Sequence, residues 1–264
     1  MPKGVLVDLT KCIGCRGCQV SCKQWNGLDA EVTTCEGSYE NPPALKSNTY
    51  TKIRFVEGEE NNKFFWGFIK TQCMHCKEPA CVSACLVGSL KKSPEGPVTY
   101  DSGKCIGCRY CMLACPFSIP TFEWNKAFPL VKKCTFCADR ISEGETPSCV
   151  KTCPSDALQF GEYDIILKEA ENRINSNPNK YINYIYGKDE VGGTSWLYIS
   201  GISFDKLGFK TQLSKEALPN LTWKSLVKIP YVVGGLAVVL SGLWFITKRK
   251  EEVNKLEKTH KSEG

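Results

Sequence analysis

Sixteen of the seventeen cysteines in this 264-residue chain fall into four tight groups. The first, Cys12, Cys15, Cys18 and Cys22, has the spacing C-x2-C-x2-C-x3-C, and the third, Cys105, Cys108, Cys111 and Cys115, repeats it. The second, Cys73, Cys76, Cys81 and Cys85, widens the middle gap, and the fourth, Cys134, Cys137, Cys149 and Cys153, widens it further. A [4Fe–4S] cube needs four thiolates converging from a short stretch of backbone, which is what such runs supply. Zinc sites need two C-x2-C pairs per metal and rarely show a compact run of four, here with Pro116 and Pro154 directly behind two of the groups. A disulfide framework suits a small secreted domain, whereas this chain is long and opens on no secretory pattern. The spacing therefore predicts four [4Fe–4S] clusters and, in a row, a path for electrons. A structural or metal-storing zinc protein is the reading of another class.

An internal repeat predicts which groups work together. Asp-x-x-Lys-Cys-Ile-Gly-Cys-Arg occupies residues 8–16 and again 101–109, so groups one and three are copies of one half-module. Group two leads into group three through residues 90–101, which read as strand, turn, strand. Group four, followed by residues 157–160, plays the part of group two, and its missing partner strand is Val5-Leu6-Val7. The fold class expected is α+β: two fused ferredoxin-like 2[4Fe–4S] modules and one C-terminal transmembrane helix. One module comprises residues 1–34 and 130–162, the other 72–129, with a hairpin insertion at 35–71. In such a module the fourth cysteine of each run ligates the other cluster. The expected ligand sets are Cys12, Cys15, Cys18 and Cys153 for cluster 1, and Cys73, Cys76, Cys81 and Cys115 for cluster 2. Cluster 3 takes Cys85, Cys105, Cys108 and Cys111, and cluster 4 takes Cys22, Cys134, Cys137 and Cys149. Within each Ile-Gly pair, Gly lets the loop turn its amides inward and Ile covers the cluster from water. Cys35 is left over as a free, part-buried thiol.

The formal charge of +6 counts every cysteine as neutral. Four cubes with their thiolates add about −8, leaving the loaded protein near −2, so the basic balance makes no case for nucleic acid. Lys11, Arg16, Lys104 and Arg109 read either as local offsets to cluster charge or as ordinary surface cations. His75 reads as a second-shell donor to a cluster or as a plain exposed histidine. Residues 50–57 and 63–70 alternate about a polar turn and read as a β-hairpin, and 164–176 as a short amphipathic helix. Residues 177–193, rich in Asn, Gly and Tyr, read as a loop that could lie over a neighbouring subunit, within an extension (163–226) that contacts partners; packing within the chain is the default for hairpin, helix and loop alike.

Residues 229–247 carry no charge and are long enough to cross a bilayer, which predicts a transmembrane helix at 227–247. Trp223, Tyr231 and Trp244 suit the interfaces, and Lys248-Arg249-Lys250 places the tail, 248–264, in the cytoplasm by the positive-inside rule. Lys224 and Lys228 on the other flank weaken that orientation. The clusters then lie on the outer side. The N-terminus shows neither an apolar h-region nor twin arginines, so export would depend on a partner's signal.

Residues 12–26, 39–45, 72–76, 105–120, 133–161 and 191–194, together with the single C-terminal span, resemble the iron–sulfur (β) subunit of membrane-bound formate dehydrogenase of the nitrate-inducible type. The Gln-Val-x-Cys-x-x-Trp-Asn stretch after Cys18 and the Tyr39-x-Asn41-Pro42 stretch carry the resemblance beyond the cysteine motifs. Leu86 departs from it, standing after Cys85 where Pro is common. The resemblance implies a catalytic α subunit with a molybdenum or tungsten bis-pterin guanine dinucleotide centre, and a membrane γ subunit passing electrons through b haem to quinone. It implies that clusters 1 and 4 lie toward α and clusters 2 and 3 toward the haem, and it admits a higher oligomer of heterotrimers. This chain would catalyse nothing alone. The same role beside a membrane hydrogenase or a DMSO, polysulfide or nitrate reductase stays open.

Overall fold

Three apolar residues in a row, Val5, Leu6 and Val7, are buried on alternating faces of the first strand, and the fold is laid out around them. In the computed structural model, which describes residues 1–34, 37–60 and 62–262 with side chains through 254, the order begins β1 (Lys3–Asp8), α1 (Gly17–Trp25), β2 (Thr51–Glu60) and β3 (Lys63–Gln72). It continues through α2 (Ala80–Ser83), β4 (Leu90–Lys92), β5 (Val98–Tyr100), α3 (Tyr110–Ala114), β6 (Thr121–Phe122) and β7 (Val131–Lys132). Then come α4 (Ala138–Ser142), α5 (Ser148–Lys151), β8 (Leu158–Glu162), α6 (Tyr163–Ser176), β9 (Trp196–Ile199), α7 (Leu218–Leu226) and α8 (Ile229–Ser262). Cys35 lies outside the described residues.

The sheet order is β8-β1-β9, with β1 antiparallel to β8 and parallel to β9. Val5 faces Phe160 and Val7 faces Leu158 across the antiparallel pair, joining the chain's start to the strand behind group four. On one face Leu6, Leu197 and Ile199 meet α6, whose Ile166, Ala170 and Ile174 recur every four residues and form its buried stripe. On the other face Val5, Val7, Trp196 and Tyr198 meet Cys18, Cys149 and Phe136. The sheet thus separates a purely structural helix layer from the layer that carries cysteines. Each large aliphatic side chain buried here contributes roughly 1.5–3 kcal/mol.

The hairpin expected near 50–70 is β2–β3, paired from Thr51↔Gln72 to Glu60↔Lys63. The strand-turn-strand behind group two is β4–β5, with Leu90 opposite Tyr100. Residues 177–193 follow the packing expectation: Tyr181, Ile185, Tyr186 and Val191 are buried in the chain's own core. Tyr186 and Tyr198 exchange two backbone hydrogen bonds (3.1 and 2.9 Å), and the Tyr186 ring packs 4.7 Å from Phe209 and 5.3 Å from Phe204. The segment is loop, with Tyr181 and Tyr186 in the core and Tyr184 exposed. Gly187 permits this approach; a Cβ there would lie 2.2 Å from the Trp196 carbonyl oxygen, at φ 95°.

The chain divides into Met1–Pro219 and Asn220–Gly264. In the second unit α8 places Pro230 in its first turn, where no intrahelical N–H is lost. At 34 residues α8 is about 50 Å long, more than a bilayer's hydrocarbon core of about 30 Å requires, so the helix continues past the expected end at 247. Val232, Leu236, Leu240 and Leu243 are all exposed, as the side chains of a helix made for lipid would be. Lys248 folds its ammonium back over the Trp244 ring at 4.9 Å.

Candidate iron–sulfur centres

Every cysteine group opens with the same backbone turn. The residue before the second cysteine has positive φ in all four: Gly14 (67°), His75 (48°), Gly107 (69°) and Phe136 (60°). This conformation aims an amide at the first cysteine, with the Gly107 N–H donating to Cys105 Sγ at 3.4 Å and the Phe136 N–H to Cys134 Sγ at 3.3 Å. Glycine takes it freely, whereas a side chain there costs of order 1–3 kcal/mol. In groups two and four that cost is met by packing: the His75 and Phe136 rings stack at 4.9 Å, and Phe136 lies 5.5 Å from Trp196.

Helices then carry the remaining thiols. Arg16 and Arg109, both at φ 61°, cap α1 and α3, which hold Cys18 and Cys111. In groups two and four the helix follows a proline, and Pro79-Ala80-Cys81-Val82 matches Pro147-Ser148-Cys149-Val150. This second repeat escaped the sequence reading, although Pro-x-Cys-Val is plain in both groups.

Cys12, Cys15, Cys18 and Cys153 line one pocket, with Val7, Ile53, Ala157 and Leu158 among its walls. The charges of Cys149 and Cys137 bear on Cys22, those of Cys115, Cys73 and Cys81 on Cys76, and those of Cys105, Cys108 and Cys85 on Cys111. All sixteen described cysteines are free thiols. Among the described residues no three His, Cys, Asp or Glu side chains converge on the single point a lone ion requires. Burial first, then the neighbouring thiols, push Cys18, Cys22 and Cys81 up to about 12, and burial does most of the work that takes Cys111 and Cys137 to about 11. Such thiols become thiolates only against a bound cation, and a cube's irons supply it. The donor set and the cavity therefore fit the cluster.

The charged residues beside the thiols are mostly not those singled out in the sequence. Arg16 donates to the Tyr39 carbonyl and lies 4.9 Å over Phe55, Arg109 lies 5.1 Å over Trp124, and Lys104 pairs with Asp101 at 3.0 Å. The buried cations are Lys52, Lys70, Lys133 and Arg140, with Lys92 half-buried, and all but Lys52 act on thiols. Lys133 donates to the Val98 carbonyl at 2.5 Å and Lys92 to the His75 carbonyl at 3.0 Å. Lys70 was hidden by position: it ends an alternating strand, where a lysine reads as solvated. His75 is neither exposed nor a donor through Nδ1. It is fully buried, and Nδ1 accepts from the Val98 N–H at 2.9 Å. Burial, then Lys133 and Lys92, hold it neutral by moving its pKa well below the usual value. Ile13 and Ile106, expected to cover the clusters, are 60% and 65% exposed, and Ile13 lines the pocket of Cys12, Cys15, Cys18 and Cys153.

Fold and thiol sets together define an iron–sulfur electron carrier, and a 4Fe-4S dicluster domain model matches residues 64–163. The chain is 38% identical over 246 residues to the iron–sulfur subunit of nitrate-inducible formate dehydrogenase of Escherichia coli K12, covering 91% of this chain and 82% of that protein. It is 39% identical over 242 residues (88% and 77%) to the formate dehydrogenase iron–sulfur subunit of Haemophilus influenzae. It is also 31% identical over 277 residues (90% and 83%) to the hydrogenase-2 operon protein HybA of Escherichia coli O157:H7. The chain belongs to the family of formate dehydrogenase iron–sulfur subunits. It is an electron-transfer subunit and not a catalytic one.

Proposed function

We propose that this chain holds four [4Fe–4S] clusters in two fused ferredoxin-like modules and conducts electrons from a formate-oxidising catalytic subunit with a Mo or W bis-pterin centre to a membrane subunit with b haem. The ligand sets are the crossed ones given above. The observation that carries this reading is the cavity shared by Cys12, Cys15, Cys18 and Cys153, whose last member is 131 residues beyond Cys22. Bound clusters supply one-electron chemistry. The chain's own part is to hold the thiolates, exclude water with Val7, Ile53 and Leu158, and aim amides at sulfur.

The order follows from which thiols act on each other. Cys73 bears on Cys134, which makes clusters 2 and 4 neighbours across the His75–Phe136 stack. Clusters 1 and 3 are then the ends, and each has one exposed cysteine, Cys15 and Cys108. Apolar side chains stand exposed beside both, Ile13 and Val20 at one end and Ile106, Tyr110 and Leu113 at the other. A soluble catalytic subunit covers the first end and the membrane subunit the second. The α8 span anchors the chain with its C-terminus cytoplasmic and the cluster modules on the outer side. Rapid-freeze EPR of the purified complex after formate addition tests the reading, alongside analysis for about sixteen irons per chain, four per cube. Clusters that stay oxidised during formate turnover would refute it. The HybA relative favours one second reading, delivery of electrons from hydrogen, and hydrogen in place of formate in the same experiment separates the two.

A further inference from the structure

Lys70 is the one long cation of the described core that faces two thiol sets at once. It is 2% exposed at the end of β3 and lines the Cys12–Cys15–Cys18–Cys153 cavity. Its charge also bears on Cys22 and Cys134 of the neighbouring set. The ammonium is pinned by neutral groups: it donates to Thr51 Oγ1 at 2.8 Å and Gln72 Oε1 at 3.0 Å, and lies 4.5 Å over the Trp196 ring. Gln72 is itself held by the Tyr198 hydroxyl at 2.6 Å. No carboxylate among the described residues pairs with Lys70. A buried charge without a counter-ion is strongly destabilising, so the compensating negative charge has to come from the thiol sets. Lys92 and Lys133 differ: they are tied to backbone carbonyls, and within the cysteine sets their charge falls on Cys76 and Cys81, both in one set.

We propose that Lys70 is a shared positioning charge, the common counter-ion of clusters 1 and 4, and that it raises the reduction potential of both. Each reduction adds one electron to an already anionic cluster, with no bond made or broken. A fixed cation in a low-dielectric site stabilises that added charge, and one placed between two clusters does so for both. Moving an electron from cluster 1 to cluster 4 then leaves it under the same ammonium, which keeps the step near level. The effect falls off toward cluster 2 and is absent at cluster 3.

This inference rests on the four-cluster reading, and the experiment separates the two. Potentiometric EPR titration is performed on the intact complex carrying wild-type chain, Lys70→Met and Lys70→Arg, with signals assigned through Cys15→Ser and Cys108→Ser. Four clusters in the wild type test the carrier reading by themselves. Lys70→Met should lower the midpoints of clusters 1 and 4, barely move cluster 2 and leave cluster 3 alone. Lys70→Arg, always charged, should keep them near wild type. Unchanged midpoints in Lys70→Met, or one equal shift of all four, overturn the proposal. If Lys70→Met does not retain clusters 1 and 4, Lys70→Gln and Lys70→Arg decide the matter. Loss in the neutral glutamine but retention in arginine supports a required charge, and loss in arginine too, or retention in glutamine with unshifted midpoints, overturns it.

Discussion

Residues 8–16 and 101–109 share the pattern Asp-x-x-Lys-Cys-Ile-Gly-Cys-Arg, and the two copies fold alike and then part company. Gly14 and Gly107 sit at φ 67° and 69°, and Arg16 and Arg109 both at 61°. Asp8, however, is wholly buried, accepting hydrogen bonds from Thr10, Tyr181 (2.9 Å) and Arg173 (3.1 Å). Asp101 is exposed, pairing with Lys104 and accepting from the Gly103 N–H at 3.0 Å. The helices differ as well. Cys115 precedes Pro116, takes an extended conformation and ends α3, whereas Cys22 precedes Lys23 and α1 runs on to Trp25. One local code for holding sulfur has been set into a buried frame at one end and a spare, solvent-facing one at the other. Local spacing governs the turn; what packs on it governs its stability.

The largest test of that comparison is ligand exchange between copies. Cys153→Ser should abolish the same EPR signal as Cys15→Ser, and Cys115→Ser the same signal as Cys76→Ser. Loss of different clusters within either pair would dissolve the crossed modules. Next, truncation after Pro219 should leave iron content unchanged while removing resistance to carbonate extraction, unless contacts to the membrane subunit hold the chain. A truncated chain without partners that still resists extraction contradicts the span. Asp8→Asn removes the buried carboxylate that Thr10, Tyr181 and Arg173 share, leaving Arg173 only Glu169, and should lower the midpoint of thermal unfolding of the cluster-bearing domain. Asp101→Asn should leave that midpoint in place, and equal effects would mean that the two copies share an environment after all. Smallest is Lys23→Pro, which imposes on α1 the stop found in α3. It should cost about 3 kcal/mol and strip hydrogen-exchange protection from Asn26 and Leu28, whose amides bond to Cys22 and Lys23 carbonyls at 3.1 and 2.9 Å. Unchanged protection would show that α1 is held by packing alone.

The cysteine groups, the β1–β8 pairing, both hairpins, α6 and the apolar span were all legible in the chain, because each is written in local spacing. Two-residue alternation marks a strand, four-residue recurrence marks α6, and C-x2-C closes a turn within a few residues. Lys70, His75 and Tyr186 were not legible, for one shared reason. Each is a polar residue whose burial is imposed by partners outside its own segment: Trp196 for Lys70, Val98 for His75, Tyr198 for Tyr186.

By itself the sequence determined where sixteen cysteines would stand in four groups along the chain, that Gly14 and Gly107 would turn amides toward sulfur, and that an apolar helix would follow the cysteine groups. Only the tertiary structure decided which copy of the repeat would be buried, where Ile13 and Ile106 would point, and which cation would stand among the thiols. Spacing along a chain limits which atoms can meet through a short loop, whereas the dielectric and the neighbours around a charge are set by segments that sequence separation leaves unlinked until the fold closes.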